Sequence, residues 1–106
     1  MFKSATVLAT LALIVSPVLA VDHRVLVNKP DCQTVDQFKF NYETLCPVFD
    51  VGSPNTYEGV LVEAGDFSGD NKDTQARVYC VWTNVTDGST YTLSDDVAIS
   101  LGGSSA

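Results

Sequence analysis

The chain is predicted to fold as one small, mainly β domain, an antiparallel sandwich or barrel. Three observations predict it: short apolar-alternating runs, turn residues closely spaced between them, and no internal repeat or linker. The first run covers residues 24–28 and ends at the turn-like Lys29-Pro30-Asp31. The next segment carries two patterns. Phe38, Phe40 and Tyr42 alternate with polar residues, which puts three rings on one face of a strand. Thr34 and Gln37 stand at capping-box spacing, and Val35, Phe38, Tyr42 and Leu45 recur at helical intervals. Aromatic enrichment favours the strand. The alternative is an α+β domain with one short helix, about residues 35–45, packed on an antiparallel sheet.

Gly52, Ser53 and Pro54 then break regular structure, and a third run extends from Tyr57 through Glu63. A polar loop, residues 65–73, leads into the strongest strand, 76–84. There Val78, Cys80 and Trp82 face one side and Tyr79, Val81 and Thr83 the other, the pattern of a central strand. Asp87-Gly88 is a two-residue hairpin signal that pairs this strand with residues 90–94. Val97, Ile99 and Leu101 alternate as a sixth strand, and residues 102–106 are expected to fray. An immunoglobulin-like sandwich fits less well, because Val78 stands where that fold places a tyrosine, two residues before the second cysteine.

Residues 1–20 read as a secretory signal. Lys3 gives the positive region, residues 7–15 the apolar stretch, and Val18-Leu19-Ala20 the cleavage site. Ser16 and Pro17 cut the apolar run well short of the roughly 20 residues a spanning helix needs. Removing 20 residues from 106 leaves 86, one secreted domain, residues 21–106, near the lower size limit for an unaided core. A covalent staple is therefore expected. Cys32, Cys46 and Cys80 allow three single bridges, and loop entropy does not choose among them: the shortest is worth about 3 kcal/mol and the longer ones slightly more. The remaining thiol is expected to be buried as a small hydrophobe or to link a second chain.

Thirteen acidic and six basic residues become 13 and 5 once Lys3 is lost, a net charge of −8. That balance does not suit a surface tracking nucleic-acid phosphates or an anionic membrane. The single histidine, His23, lies three residues into the mature chain, too near a terminus to be expected to serve a Ser-His-Asp or Cys-His hydrolase. Three cysteines without a Cys-x-x-Cys pair do not make a zinc site. No cofactor is expected. Asp66, Ser68, Asp70 and Asp73 set hard oxygens along one loop, a calcium pattern that stops where Asn71 replaces the required glycine and Arg77 the bidentate glutamate. Residues 70–75 also resemble the calcium motif of βγ-crystallin-type domains, with Gln75 in place of the final serine. As solvated turn residues, Asp66, Asp70 and Asp73 need no metal. Asn84-Val85-Thr86 is an N-glycosylation acceptor beside the predicted hairpin turn.

Tyr57-Glu58, Leu61, Gly65-Asp66, Ser68-Gly69 and Arg77-Val78 follow one another in the order found in guanyl-preferring fungal ribonucleases. The chain resembles that family over residues 57–78 only. The resemblance implies that Glu58 is the general base for a ribose 2′-hydroxyl and that Arg77 stabilises charge on the phosphate. No histidine follows Arg77, so the general acid is missing, a loss of roughly 10²–10⁴ in rate. The segment before Tyr57 is also short for that family's helix. What remains resembles the ribonuclease-like secreted effectors of plant-associated fungi, which keep the scaffold without hydrolysis. Apart from that resemblance, Glu58 reads as a strand-edge surface residue and Arg77 as a solvated partner for aspartates. The expectation is a non-enzymatic extracellular binding protein of the effector type. It would contact a host or extracellular macromolecule, most naturally a protein, through the loops at 50–58 and 65–73.

Overall fold

The computed structural model describes residues 22–106; the expected signal segment and its cleavage site lie outside them. Five antiparallel strands form one sheet: β1 (Val25–Asn28), β2 (Thr56–Ala64), β3 (Gln75–Thr83), β4 (Thr90–Thr92) and β5 (Ser104–Ser105). Two helices join them, α1 (Val35–Leu45), continued by a 3₁₀ turn at Cys46–Val48, and α2 (Ser94–Ser100). The β-rich antiparallel class holds, and the architecture is the α+β form, helices on one face of one sheet.

β3 organises the sheet. Its whole length pairs with β2, its first half with β1 and its last three residues with β4. Ala76, Val78, Cys80 and Trp82 point to one face and are buried there with Val27 and Val62 from the flanking strands. Phe38 and Tyr42 from α1 and Val97 and Ala98 from α2 close the same core.

Residues 37–43 are therefore helical, not a strand. The capping box forms in full: Gln37 N donates to Thr34 Oγ1 at 3.1 Å, and Thr34 N donates to Gln37 Oε1 at 2.9 Å. As a helix the segment buries Phe38 and Tyr42, four residues apart, and leaves Phe40 69% exposed. As a strand it would leave the apolar sheet face without α1 over it. Tyr42 is further fixed by donating its hydroxyl to the Ser94 carbonyl at 2.9 Å. Burial there pushes its phenol pKa upward.

The expected sixth strand is also a helix. Val97 and Ala98 are adjacent and both buried, which alternation forbids and a helix allows, while Ile99 faces outward. Asp95 and Asp96 occupy its first turn, and Gly102 follows its last residues with φ of 95°. The C-terminal residues do not fray: Ser104 and Ser105 pair with Asn28 and Val27, and Asn28 Nδ2 donates to Ser104 Oγ at 3.2 Å. Gly103 is required at this junction, because a Cβ would come within 2.5 Å of the Asn28 carbonyl oxygen. The β3–β4 hairpin forms, but over the six residues 84–89 and not a two-residue turn: Asn84 N donates to Ser89 O, and Gly88 N to Asn84 O.

Cys46 and Cys80 are bridged, with Cα atoms 5.8 Å apart. The bond ties the end of α1 to the middle of β3 inside the core. Cys32 is free and exposed, a correction to the expected buried thiol. Its place just before α1 leaves it outside the packing between helix and sheet.

Closing a span of 34 residues restricts the unfolded chain by about 4 kcal/mol. A Cys46→Ala/Cys80→Ala variant is expected to lose stability of that order in urea unfolding, whereas Cys32→Ser shifts the midpoint little. Native-state alkylation should modify Cys32 alone.

Candidate functional site

The helices cover one sheet face, so the side chains on the other face are available for contact. On β3 these are Gln75, Arg77, Tyr79, Val81 and Thr83; opposite them on β2 stand Glu63, Leu61 and Gly59. The register of β2 shifts between Tyr57 and Gly59, a bulge at Glu58. Tyr57 still turns inward and packs edge-on against Trp82, while Glu58 joins Gly59 on the open face.

Glu58, Gly59, Tyr79, Val81 and His23 line a shallow, open depression of about 230 Å³. Glu58 Oε2 accepts from Thr83 Oγ1 at 2.8 Å, which orients the carboxylate. The His23 ring meets the Tyr79 ring edge-on, centroids 6.5 Å apart. Sequence reasoning set His23 aside as near-terminal; the structure holds it over the sheet. The reason is its neighbour Arg24, which binds Asp22 and Glu63, each at 2.9 Å, and lies 5.4 Å over the Phe67 ring. Glu63 and Phe67 lie about 40 residues further along the chain, so nothing local in the sequence marks that anchor.

Arg77 does not reach Glu58. Four residues of strand separate Arg77 from Val81, about 13 Å at the usual rise. Its guanidinium turns the other way, donating to the carbonyls of Ala64 and Gly65 at 2.9 and 3.2 Å, with Glu63 at 3.8 Å. It is therefore a partly buried clamp on the β2–β3 loop, not a solvated partner of aspartates. The two residues that the ribonuclease resemblance joins are separated, and His23 lines the same depression as Glu58.

The acidic loop is organised by internal hydrogen bonds. Asp66 Oδ1 accepts from the amides of Ser68 and Asp70, and Oδ2 from the Asn71 side chain at 2.9 Å. These bonds hold the Asp66 carboxyl below its usual pKa. Asn71 takes the left-handed conformation, with φ of 57°. Asp70 and Asp73 are exposed, and among the described residues no three acidic, histidine or cysteine side chains gather as a metal site.

Two further loops are locked together beside Glu58. Asn55 Nδ2 donates to Tyr91 Oη and Tyr91 Oη to Asp50 Oδ2, both at 3.0 Å, while Asn55 Oδ1 accepts from Val85 N at 3.3 Å. Val51 and Val85 project from these loops, 77% and 51% exposed. Asn84 is half-buried, with its side-chain oxygen accepting from Thr86 N at 2.8 Å in an Asx-turn. A larger open depression, about 540 Å³, runs along α1 past Cys32, Asp36 and Phe40. Its lining also includes Gln33, Gln37 and Asn41, and Asn41 Nδ2 donates to Gln33 Oε1 at 3.2 Å.

No protein-family model, curated protein or solved structure matches this chain. Among the described residues no helix is long and apolar enough to cross a membrane.

Asp22 is exposed, yet its hydrogen bonds to Arg24 lower its pKa to about 2. A lowered carboxylate pKa stabilises the fold above the unfolded value, and that contribution disappears as pH falls through about 2. Arg24→Leu is expected to return Asp22 toward 3.8 in an NMR titration and to release His23 from the sheet, seen as loss of contacts between its ring and Tyr79.

Proposed function

We propose that this is a secreted, non-enzymatic binding protein of the effector type, acting by contact with an extracellular or host protein. The observation that carries this reading is the hydrogen-bonded pair of loops presenting Val51 and Val85. Exposed aliphatic side chains on a pinned backbone lose little entropy when a partner covers them, so their apolar area is buried at low ordering cost. The signal-like N-terminus, the buried disulfide and the acidic balance support export of a soluble scaffold. Of the two expected contact loops, residues 50–58 have the stronger support, because the 65–73 loop spends its best acceptor, Asp66, on itself. A glycan on Asn84 would border the surface at Val85, which leaves Val51 as the main anchor. Val51→Asp is expected to weaken capture of the partner from the natural extracellular fluid at least tenfold without changing the melting temperature, about the cost of losing one strong interface contact. Undiminished capture by that variant would remove the surface from consideration.

One observation favours a second, ribonuclease-like reading: His23 stands in the same depression as Glu58. A carboxylate and an imidazole on one ligand-accessible site are the two groups that acid–base hydrolysis of a phosphodiester requires. Under this reading single-stranded RNA is cleaved by the wild type, and Glu58→Gln and His23→Ala each lower the rate by roughly 10²-fold or more. Absence of cleavage above a no-protein control rejects it.

A further inference from the structure

We propose that the depression at Glu58 receives an arginine side chain of the partner protein. This rests on the binding reading and names the chemistry of its contact. The lining is a carboxylate, two ring surfaces from Tyr79 and His23, the nearly buried Val81, and Gly59, which contributes no side chain. Among the described residues no lysine or arginine lines it, so the fixed charge a ligand meets there is the Glu58 carboxylate, which repels a phosphate or carboxylate. A cation fits the charge. A planar one also fits the walls, because guanidinium stacks on an aromatic face while its N–H fork meets a carboxylate edge.

Glu58 is prepared for this without being used up. Thr83 holds one carboxylate oxygen, and an ionised carboxylate offers about four lone-pair sites, so an acceptor edge stays open. The chain's own arginines are engaged elsewhere: Arg24 with Asp22 and Glu63, Arg77 with the carbonyls of Ala64 and Gly65. The molecule already uses the same chemistry once, where Arg24 lies over the Phe67 ring while hydrogen-bonded to two carboxylates. At the Glu58 depression the carboxylate and the ring are both present and the cation must come from outside. Long-range charge favours its arrival, with Asp50 on one adjoining loop and Asp87 on the other.

The test is an NMR titration of the oxidised, isotope-labelled protein with N-acetyl-arginine amide, its lysine counterpart, the neutral citrulline analogue and a short single-stranded RNA. Saturable shifts are expected at the Gly59, Tyr79 and Val81 amides with the arginine compound, about fivefold weaker binding with lysine, and none with citrulline. Glu58→Gln and Tyr79→Leu should each weaken arginine binding by about tenfold, with Asp66→Asn unchanged; the spectra themselves report that each variant is folded. Equal response to citrulline, no saturation with arginine, or an unaltered Glu58→Gln titration overturns the proposal. A preference for RNA at these amides also overturns it and favours the ribonuclease-like reading. Partner capture separates the two levels: capture that survives Glu58→Gln but is lost in Val51→Asp refutes the arginine contact and keeps the binding reading. Arginine binding without any captured partner refutes the binding reading and, with it, the assignment of that arginine to a partner protein.

Discussion

The structure depends on β3 burying one face along its whole length while its backbone pairs on both sides. Ala76, Val78, Cys80 and Trp82 give four consecutive inward positions, and the other buried side chains gather with them in one cluster. In a domain this small the apolar area available is limited, so the central strand carries a disproportionate share of burial. The Cys46–Cys80 bridge adds a covalent tie at the middle of that strand and fixes where α1 ends. With α1 and α2 committed to the inner face, the outer face is left uncovered by helices, and function is to be sought there or on the loops at its ends.

Those ends differ in kind. At the start of β3, Arg24, Lys29 and Arg77 are occupied by carboxylates or backbone carbonyls, and they brace the N-terminal segment and the β2–β3 loop. At its far end, Asp50, Glu58 and Asp87 have hydrogen-bond donors but no ion-pair partners among the described residues. Arg24, Lys29, Lys72 and Arg77 lie at the first end, and no lysine or arginine among the described residues accompanies Asp50, Glu58 and Asp87 at the other. That distribution turns a property which by itself indicates only solubility into a directional feature of the surface.

How much of this was legible depended on whether a signal was local. Strands β1 and β3 follow from alternation and are present within a residue at each end, and the turn signal at Asp87-Gly88 locates the β3–β4 connection but not its six-residue length. The capping box at Thr34 and Gln37 was equally visible, but it competed with aromatic alternation at Phe38, Phe40 and Tyr42. The decision came from the uncovered sheet face, a tertiary demand that overrides local preference. For α2, Asp95, Asp96 and Gly102 marked both ends, yet seven residues with alternating aliphatics satisfy a strand pattern too. The disulfide was undetermined because three candidate loops differ by little in entropy, whereas the packed structure brings only Cys46 and Cys80 within bonding geometry. At the site, Glu58 was legible as a strand-edge surface residue, but its neighbours in space were not. Order along the chain joined it to Arg77, while the fold joins it to His23 through an anchor provided by Arg24, Glu63 and Phe67.

The bulge at Glu58 explains why that residue can be both exposed and oriented. In an unbroken strand, Tyr57 and Gly59 would share a face and Glu58 would point away from them. Tyr57 is needed inside, against Trp82, and Gly59 lies opposite Val81 on the open face, so an extra residue must be absorbed between them. That residue is Glu58, and the added twist swings its carboxylate to Thr83 and beside Tyr79. Glycine at position 59 keeps the depression open, since its absent side chain would stand 3.9 Å from the Tyr79 ring. The feature therefore arises from a conflict between core packing and strand register. Its resolution places a fixed negative charge next to an aromatic face, on the side of the sheet that no helix covers.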